Sequence, residues 1–169
     1  MIIVETERLL LRTFSIDDAP FVLRLVNDPS WIEFIGDHAV GDLEEACNYI
    51  RNGPLTMYED YGFSLCMTEL KATGTPVGVC GLVKRDSLPE VDLGFALLPE
   101  YCGRGYASEA AAAILEFGRS ELRIQRVLAI TMPANLRSMQ LLERLGFQFV
   151  SMFQLSDEEP ELKLFSIDI

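Results

Sequence analysis

The sequence predicts one α/β domain, residues 1–169, built on a mixed, mainly antiparallel sheet of about seven strands flanked by helices. Apolar runs with strand-like alternation recur along the chain, two of them separated only by a short turn-rich segment. Between them lie stretches whose apolar residues repeat at i, i+3, i+4. A length of 169 residues supports one well-buried core and is short for two.

Residues 7–14 read as a first strand, with Leu9 and Leu11 on one face and Arg8, Leu10 and Arg12 on the other. Ser15, Asp17, Asp18 and Pro20 then supply a cap, early acidic residues and an early proline for a helix that turns Phe21, Val22 and Leu25 inward. Asn27-Asp28-Pro29 ends it. A second helix is expected over residues 43–51, where Leu43, Ala46, Cys47 and Ile50 repeat at helical spacing before Gly53-Pro54 stops it. The intervening Trp31-Ile32-Glu33-Phe34-Ile35-Gly36 is an aromatic-rich connector that either lines a substrate cleft or caps the core. Residues 61–67 and 76–84 read as an antiparallel hairpin joined through Lys71-Ala72-Thr73-Gly74-Thr75, and residues 90–98 as the next strand. The helix expected over 106–120 places Ala107, Ala110, Ala111, Ile114 and Gly118 on one stripe, small enough for its backbone to lie close to the sheet. A strand over 126–131 and a helix over 136–145, closed by Gly146, follow. Strands over 148–155 and 162–168 finish the chain, joined by the acidic loop Ser156-Asp157-Glu158-Glu159-Pro160.

Lys and Arg number 14 against 26 Asp and Glu, a formal charge of −12. That balance argues against nucleic acid as a partner, and it either favours the approach of a cationic substrate such as a protonated amine or merely keeps the protein soluble. No run approaches the roughly 20 apolar residues of a membrane span. The N-terminus lacks the basic-then-apolar order of a signal peptide, so a cytoplasmic protein is expected. Cys47, Cys66, Cys80 and Cys102 show no Cys-x-x-Cys spacing and His38 is the only histidine, so no metal site is expected. Cys66 and Cys80 sit in apolar runs and read as buried, inert thiols.

The stretch from Leu97 to Ala110 carries the chemistry. An apolar strand breaks into Cys102-Gly103-Arg104-Gly105 and a helix opens at Tyr106-Ala107-Ser108. Two glycines permit backbone conformations closed to other residues, and the first N–H groups of a helix lack carbonyl partners within it. Such donors, at the positive end of the helix dipole, suit a phosphate or pyrophosphate. A P-loop is excluded, since no Gly-x-x-x-x-Gly-Lys-Ser/Thr is present.

Four separated features, spanning nearly the whole chain, together resemble the GNAT superfamily of N-acetyltransferases. They are Thr6-Glu7-Arg8-Leu9-Leu10-Leu11-Arg12, Asp92-x-Gly94-Phe95, Gly103-x-Gly105-Tyr106-Ala107, and Asn135-x-x-Ser138 ending in Leu145-Gly146-Phe147. The first is most similar to the branch that includes the Rim-type ribosomal-protein N-terminal acetyltransferases. The resemblance implies that Gly103, Arg104, Gly105, Tyr106, Ala107 and Ser108 hold the pyrophosphate of acetyl-CoA, chiefly through backbone N–H groups. Arg104 either adds charge there or is a solvated turn residue. Cys102 stands where the family often has Gln or Arg, which removes a side-chain contact and leaves the backbone cradle. The resemblance further implies that the strand before the turn splays from its neighbour into a cofactor cleft. Phe95, Ala96 and Leu97 would then pair with the pantetheine arm, with the Leu97 N–H as candidate donor to the thioester oxygen.

Direct attack on a thioester needs a neutral amine, so a carboxylate must accept the ammonium proton, directly or through water. Asp92 is the first candidate, its alternative being a structural carboxylate, and Glu33 ranks second. Ile130 stands where some family members carry a glutamate base. Leu142 stands where many place a tyrosine at the leaving sulfur; Ser138 falls three residues after Asn135, as a serine does in Rim-type relatives, and the resemblance implies that its hydroxyl would hydrogen-bond that sulfur instead. Asn135 would bind the cofactor arm, cap the following helix, or both. The implied activity is transfer of an acetyl group to a primary amine, a protein N-terminal α-amine or a small amine, and the resemblance leaves room for a homodimer. The rival reading is a non-catalytic acyl-CoA-binding regulatory module.

Overall fold

A computed structural model describes residues 1–169. Eight strands form one sheet in the order β1-β2-β3-β4-β5-β6-β8-β7, with β1 at Ile2–Glu5, β2 at Leu9–Arg12, β3 at Leu65–Leu70 and β4 at Thr75–Val83. The second half holds β5 at Asp92–Leu97, β6 at Arg126–Thr131, β7 at Gln148–Phe153 and β8 at Leu162–Asp168. All pairs are antiparallel except β5 with β6. Strand β1 is one more than the sequence predicts. The apolar run Ile2-Ile3-Val4 pairs with β2 across a tight turn closed by Thr6, whose N–H donates to the Leu9 carbonyl at 2.9 Å and whose Oγ1 accepts from the Leu9 N–H at 2.9 Å.

Six α-helices connect and cover the strands: α1 at Ala19–Val26, α2 at Pro29–Phe34, α3 at Leu43–Ile50, α4 at Thr56–Tyr61, α5 at Tyr106–Ser120 and α6 at Leu136–Leu145. A 3-10 turn at Ile16–Asp18 leads into α1 behind a capping box, in which the Ser15 N–H donates to Asp18 Oδ2 at 2.7 Å. Two expectations between α1 and β3 are corrected. The aromatic connector is helical, because Asp28-Pro29, which ends α1, also starts α2: Asp28 Oδ1 accepts from the Ser30 N–H at 2.9 Å and proline suits the first helical position. The second helix does not stop at Gly53-Pro54 either. It widens into a π turn at Arg51–Leu55 that accommodates Pro54, with Thr56 Oγ1 donating to the Arg51 carbonyl at 2.7 Å, and continues as α4 to the left-handed Gly62. Strand β3 therefore begins at Leu65, later than expected.

Each face of the sheet buries its own core. On one, Leu9, Leu11, Cys80, Leu82, Leu93 and Val127 pack against α5 and α6, where Ala110, Ala111 and Ile114 form the expected small-residue stripe. Gly118 belongs to it: a Cβ there would lie 3.3 Å from Leu82 Cδ1. On the other face, Met67, Val79 and Leu98 pack against Val22, Leu25, Trp31, Ala46 and Ile50 from α1, α2 and α3. Trp31 is thus part of the core. The paired strand cysteines are buried, and burial pushes the Cys66 thiol up to about 12 and raises that of Cys80 as well, so both are inert.

Arg12 ties the start of α1 to the sheet. Its guanidinium donates to both Asp18 oxygens at 2.8 Å and, through Nε, to Glu69 Oε1 on β3 at 2.9 Å. Arg8 departs from the alternation expected for it. Strand geometry begins only at Leu9, and in the preceding bend Arg8 turns to the α5 side, away from Arg12.

Candidate active site

The parallel pair β5–β6 is joined by a single bridge, Asp92 with Leu128, where the Leu128 N–H donates to the Val91 carbonyl at 2.9 Å. Beyond it the strands separate. Strand β5 stays paired with β4 along its whole length, Gly78 opposite Leu97 and Gly81 opposite Gly94. At its end the Leu98 N–H donates to the Val77 carbonyl of β4 at 2.9 Å. Antiparallel alternation then directs the N–H and C=O groups of Leu97 and Phe95 to the opposite edge, toward the gap, and those of Ala96 toward β4. An extended arm can bind along such an edge as an added strand.

Glycines in β4 set the position of β5. A Cβ on Gly78 would collide with the Ala96 carbonyl oxygen and lie 2.8 Å from Leu97 Cα. A Cβ on Gly81 would collide with the Ser64 carbonyl and lie 2.7 Å from Leu65 Cα. No motif reading singled these glycines out, since their role depends on strands that meet only in the fold.

After β5 a 3-10 turn at Pro99–Tyr101 leads to the glycine turn. Gly103 and Gly105 both adopt the left-handed conformation, with φ of +76° and +81°, and Gly105 is the N-cap of α5. The first backbone bond of the helix runs from the Glu109 N–H to the Gly105 carbonyl at 3.0 Å. The N–H groups of Gly103, Arg104, Gly105, Tyr106, Ala107 and Ser108 have no partner within the protein. This run of free donors, around two left-handed glycines at the positive end of a four-turn helix, fits a pyrophosphate. The Arg104 carbonyl is engaged on the outer side of the turn, accepting from Arg8 Nη1 at 2.9 Å.

Asp92 lies at the opposite end of β5, on the face of α1 and α3, only 1 % exposed. Its Oδ1 accepts from Arg85 Nε at 3.0 Å. Burial raises the carboxyl above its ordinary value, against the opposing pull of Arg85. Arg85 arrives from the β4–β5 connection, a partner that spacing alone does not reveal. Its charge also reaches His38 and Tyr49, whose rings lie 5.6 Å apart, with Trp31 edge-on to His38 at 5.7 Å. Burial lowers the His38 imidazole and raises the Tyr49 phenol. Glu33, on α2, is exposed and has no ion-pair partner.

Asn135 and Ser138 follow β6 at the end where it diverges from β5. Asn135 Oδ1 accepts from the Ser138 N–H at 3.1 Å, so the side chain caps α6. Ser138 Oγ is half-buried and makes no hydrogen bond within the protein. Leu142 lies in the core beside Ala129 and Phe147. The ending Leu145-Gly146-Phe147 closes α6 with Gly146 at φ +99° and the Phe147 N–H donating to the Leu142 carbonyl at 3.0 Å.

An open sheet split at a single parallel bridge, followed by a glycine turn that begins a helix, is the architecture of a GNAT acetyltransferase. Residues 8–148 match the acetyltransferase (GNAT) domain, and the chain belongs to that family of acyl-CoA-dependent acetyltransferases. It is 29% identical over 146 residues to the uncharacterized N-acetyltransferase p20 of Bacillus licheniformis, covering 85% of this chain and 80% of that one. Among solved structures it is similar to an acetyltransferase from Agrobacterium tumefaciens str. C58, with TM-score 0.82, 26% identity, and coverage of 97% and 92% of the two chains. It shares its fold with RimL, a ribosomal L7/L12 alpha-N-protein acetyltransferase in complex with coenzyme A, at TM-score 0.84 and 17% identity over 100% and 98% of the chains.

Proposed function

We propose that this acetyltransferase moves the acetyl group of acetyl-CoA to a primary amine, a protein N-terminal α-amine or a small amine, by direct attack with both substrates bound. The observation that carries the proposal is the continuity of the free edge of β5 with the free N–H groups of residues 103–108. Acetyl-CoA supplies an activated thioester whose thiol leaves. The protein's part is to hold and orient it. The turn from Gly103 to Ser108 takes the pyrophosphate, with Arg104 exposed beside it, and the edge groups of Phe95 and Leu97 take the pantetheine arm while Ala96 keeps β5 on β4. The Leu97 N–H faces the carbonyl oxygen that gains negative charge.

Asp92 accepts the ammonium proton through a chain of waters, because it begins β5 while Leu97 ends it, about 16 Å along the strand. A raised carboxyl is better matched to that task near neutral pH than an ordinary one. Ser138 Oγ, free of other partners, donates to the departing sulfur, and Asn135 fixes the turn that carries it. His38 and Tyr49, which pack ring to ring and feel the charge of the Arg85 that pairs with Asp92, are the candidate wall on the acceptor side. The net charge of −12 supports a cationic acceptor. The resemblance to the Rim-type branch supports a protein N-terminus among the candidates.

The test offers acetyl-CoA with a panel of amines and N-terminal peptides and follows free thiol. Acceptor-dependent thiol release supports the proposal, with Gly105→Glu abolishing it together with CoA binding. Tight CoA binding without acceptor-dependent release across the panel would count against acetyl transfer to these amines and favour the rival, a non-catalytic acyl-CoA-binding module.

A further inference from the structure

We infer that Arg8 is a positioning residue for the pyrophosphate, holding the glycine turn in its binding form from outside and cancelling the charge of Glu109. The inference rests on the proposed role of residues 103–108 as the CoA cradle. Arg8 precedes β2 and is remote in sequence from the turn, yet its side chain lies along the turn's outer surface. Nε donates to Glu109 Oε2 at 2.6 Å and Nη1 to the Arg104 carbonyl at 2.9 Å. The guanidinium carbon stands 4.6 Å from the centre of the Tyr106 ring. Nη2 is close enough that a Cβ on Gly105 would come within 3.2 Å of it.

The bond to the Arg104 carbonyl has a direct geometric result. The peptide unit between Arg104 and Gly105 is planar and trans, so its C=O and N–H point in opposite directions. Anchoring the carbonyl on Arg8 fixes the Gly105 N–H away from Arg8, toward the inner side of the turn. With glycine on both sides of Arg104, little else resists rotation of that unit.

Glu109 explains why the anchor is an arginine. A carboxylate in the first turn of α5 favours the helix dipole but repels a bound polyanion. Its oxygens are bound by Thr6 Oγ1 at 2.6 Å, the Arg8 N–H at 2.9 Å and Arg8 Nε. Burial pulls this carboxyl up, and those bonds with the Arg8 charge bring it below its ordinary value, so it is ionised at neutral pH. One guanidinium neutralises it and still reaches the carbonyl, which an ammonium on a single point cannot do.

Calorimetry of CoA binding tests this directly on the wild type, Arg8→Lys, Arg8→Met, Glu109→Gln and the double variant Arg8→Met/Glu109→Gln, each with a melting curve. Arg8→Met should weaken CoA about 30-fold, since a charge-assisted anchor is lost and a bare carboxylate is left beside the phosphates. Arg8→Lys should weaken it about 5-fold, keeping charge but losing the fork. The double variant should bind more tightly than Arg8→Met alone, a rescue that a merely structural role would not give. In turnover, the acetyl-CoA KM should rise while the acceptor KM holds. CoA affinity within about 2-fold of wild type in both Arg8→Met and Arg8→Lys would overturn the inference and leave the cradle standing. If Arg8→Met does not fold, Arg8→Lys decides by the same criterion. A wild type that fails to bind CoA would overturn the cradle itself, and the inference with it.

Discussion

Gly103 offers a clean measure of how much the glycine turn depends on backbone conformation. Its φ is +76°, and a Cβ built there would meet nothing within 4 Å. Replacement by alanine therefore adds backbone strain without a clash. The left-handed conformation costs an ordinary L-residue about 1–2 kcal/mol, equivalent to about 5- to 30-fold in an equilibrium. If the free turn relaxes to escape that strain, binding must restore it, and CoA affinity falls by that factor with little change in melting temperature. If the turn cannot relax, the same energy appears as a fall of about 2–8 °C in Tm. Gly103→Asn occupies the same open space but tolerates the left-handed region better, so its combined loss should be smaller than that of Gly103→Ala. Calorimetry with CoA and a melting curve on the three proteins separate the terms. Unchanged affinity and Tm in Gly103→Ala, or a larger loss in Gly103→Asn, would refute conformational strain as the reason for glycine.

Asp92→Asn should lower turnover about 100-fold while leaving CoA affinity intact, and the carboxylate limb of the pH–rate profile, rising above the usual carboxylate range, should vanish. Stability carries the same signature with a definite sign. A carboxyl raised in the folded state makes the wild type lose stability as pH climbs from the ordinary carboxylate value through the raised one, and denaturation titrations of the asparagine variant should lack that decline. Gly78→Ala forces β4 from β5 at the Ala96 carbonyl and should cost about 3 kcal/mol in chemical denaturation, with CoA binding impaired as well. Arg12→Met leaves the mostly buried Asp18 and Glu69 without their cation and should cost about 2–3 kcal/mol by the same measurement.

What the sequence reveals of the fold follows from how local each signal is. Gly146 after Leu145, the Ser15 cap and the alanine stripe of α5 act over one or two turns, and each sits where the pattern puts it. The segment from Asp28 to Tyr61 is harder. Asp28-Pro29 and Gly53-Pro54 are genuine punctuation, but one pair starts a helix where it ends another and the second is absorbed by a π turn. Strand β1 escapes because four residues at the terminus become a strand only through pairing with β2. The glycine turn is legible because its conformation is local. Arg85 beside Asp92, Gly78 beneath Leu97 and Arg8 behind Arg104 are not, since each meets its partner only after strands and helices have assembled.

The single bridge between Asp92 and Leu128 divides the sheet mechanically into two blades, β1 to β5 and β6 with β8 and β7. Hydrogen bonds contribute almost nothing across the seam. It is the slab of apolar side chains spanning it, Leu93 on one blade, Val127 and Ala129 on the other, and Ala110, Ala111 and Ile114 of α5, that keeps the blades in register. The seam is accordingly the place where amide exchange and early loosening under denaturant should concentrate. A molecule lying along it would act as a rung, closing by its own hydrogen bonds a ladder that the polypeptide leaves open.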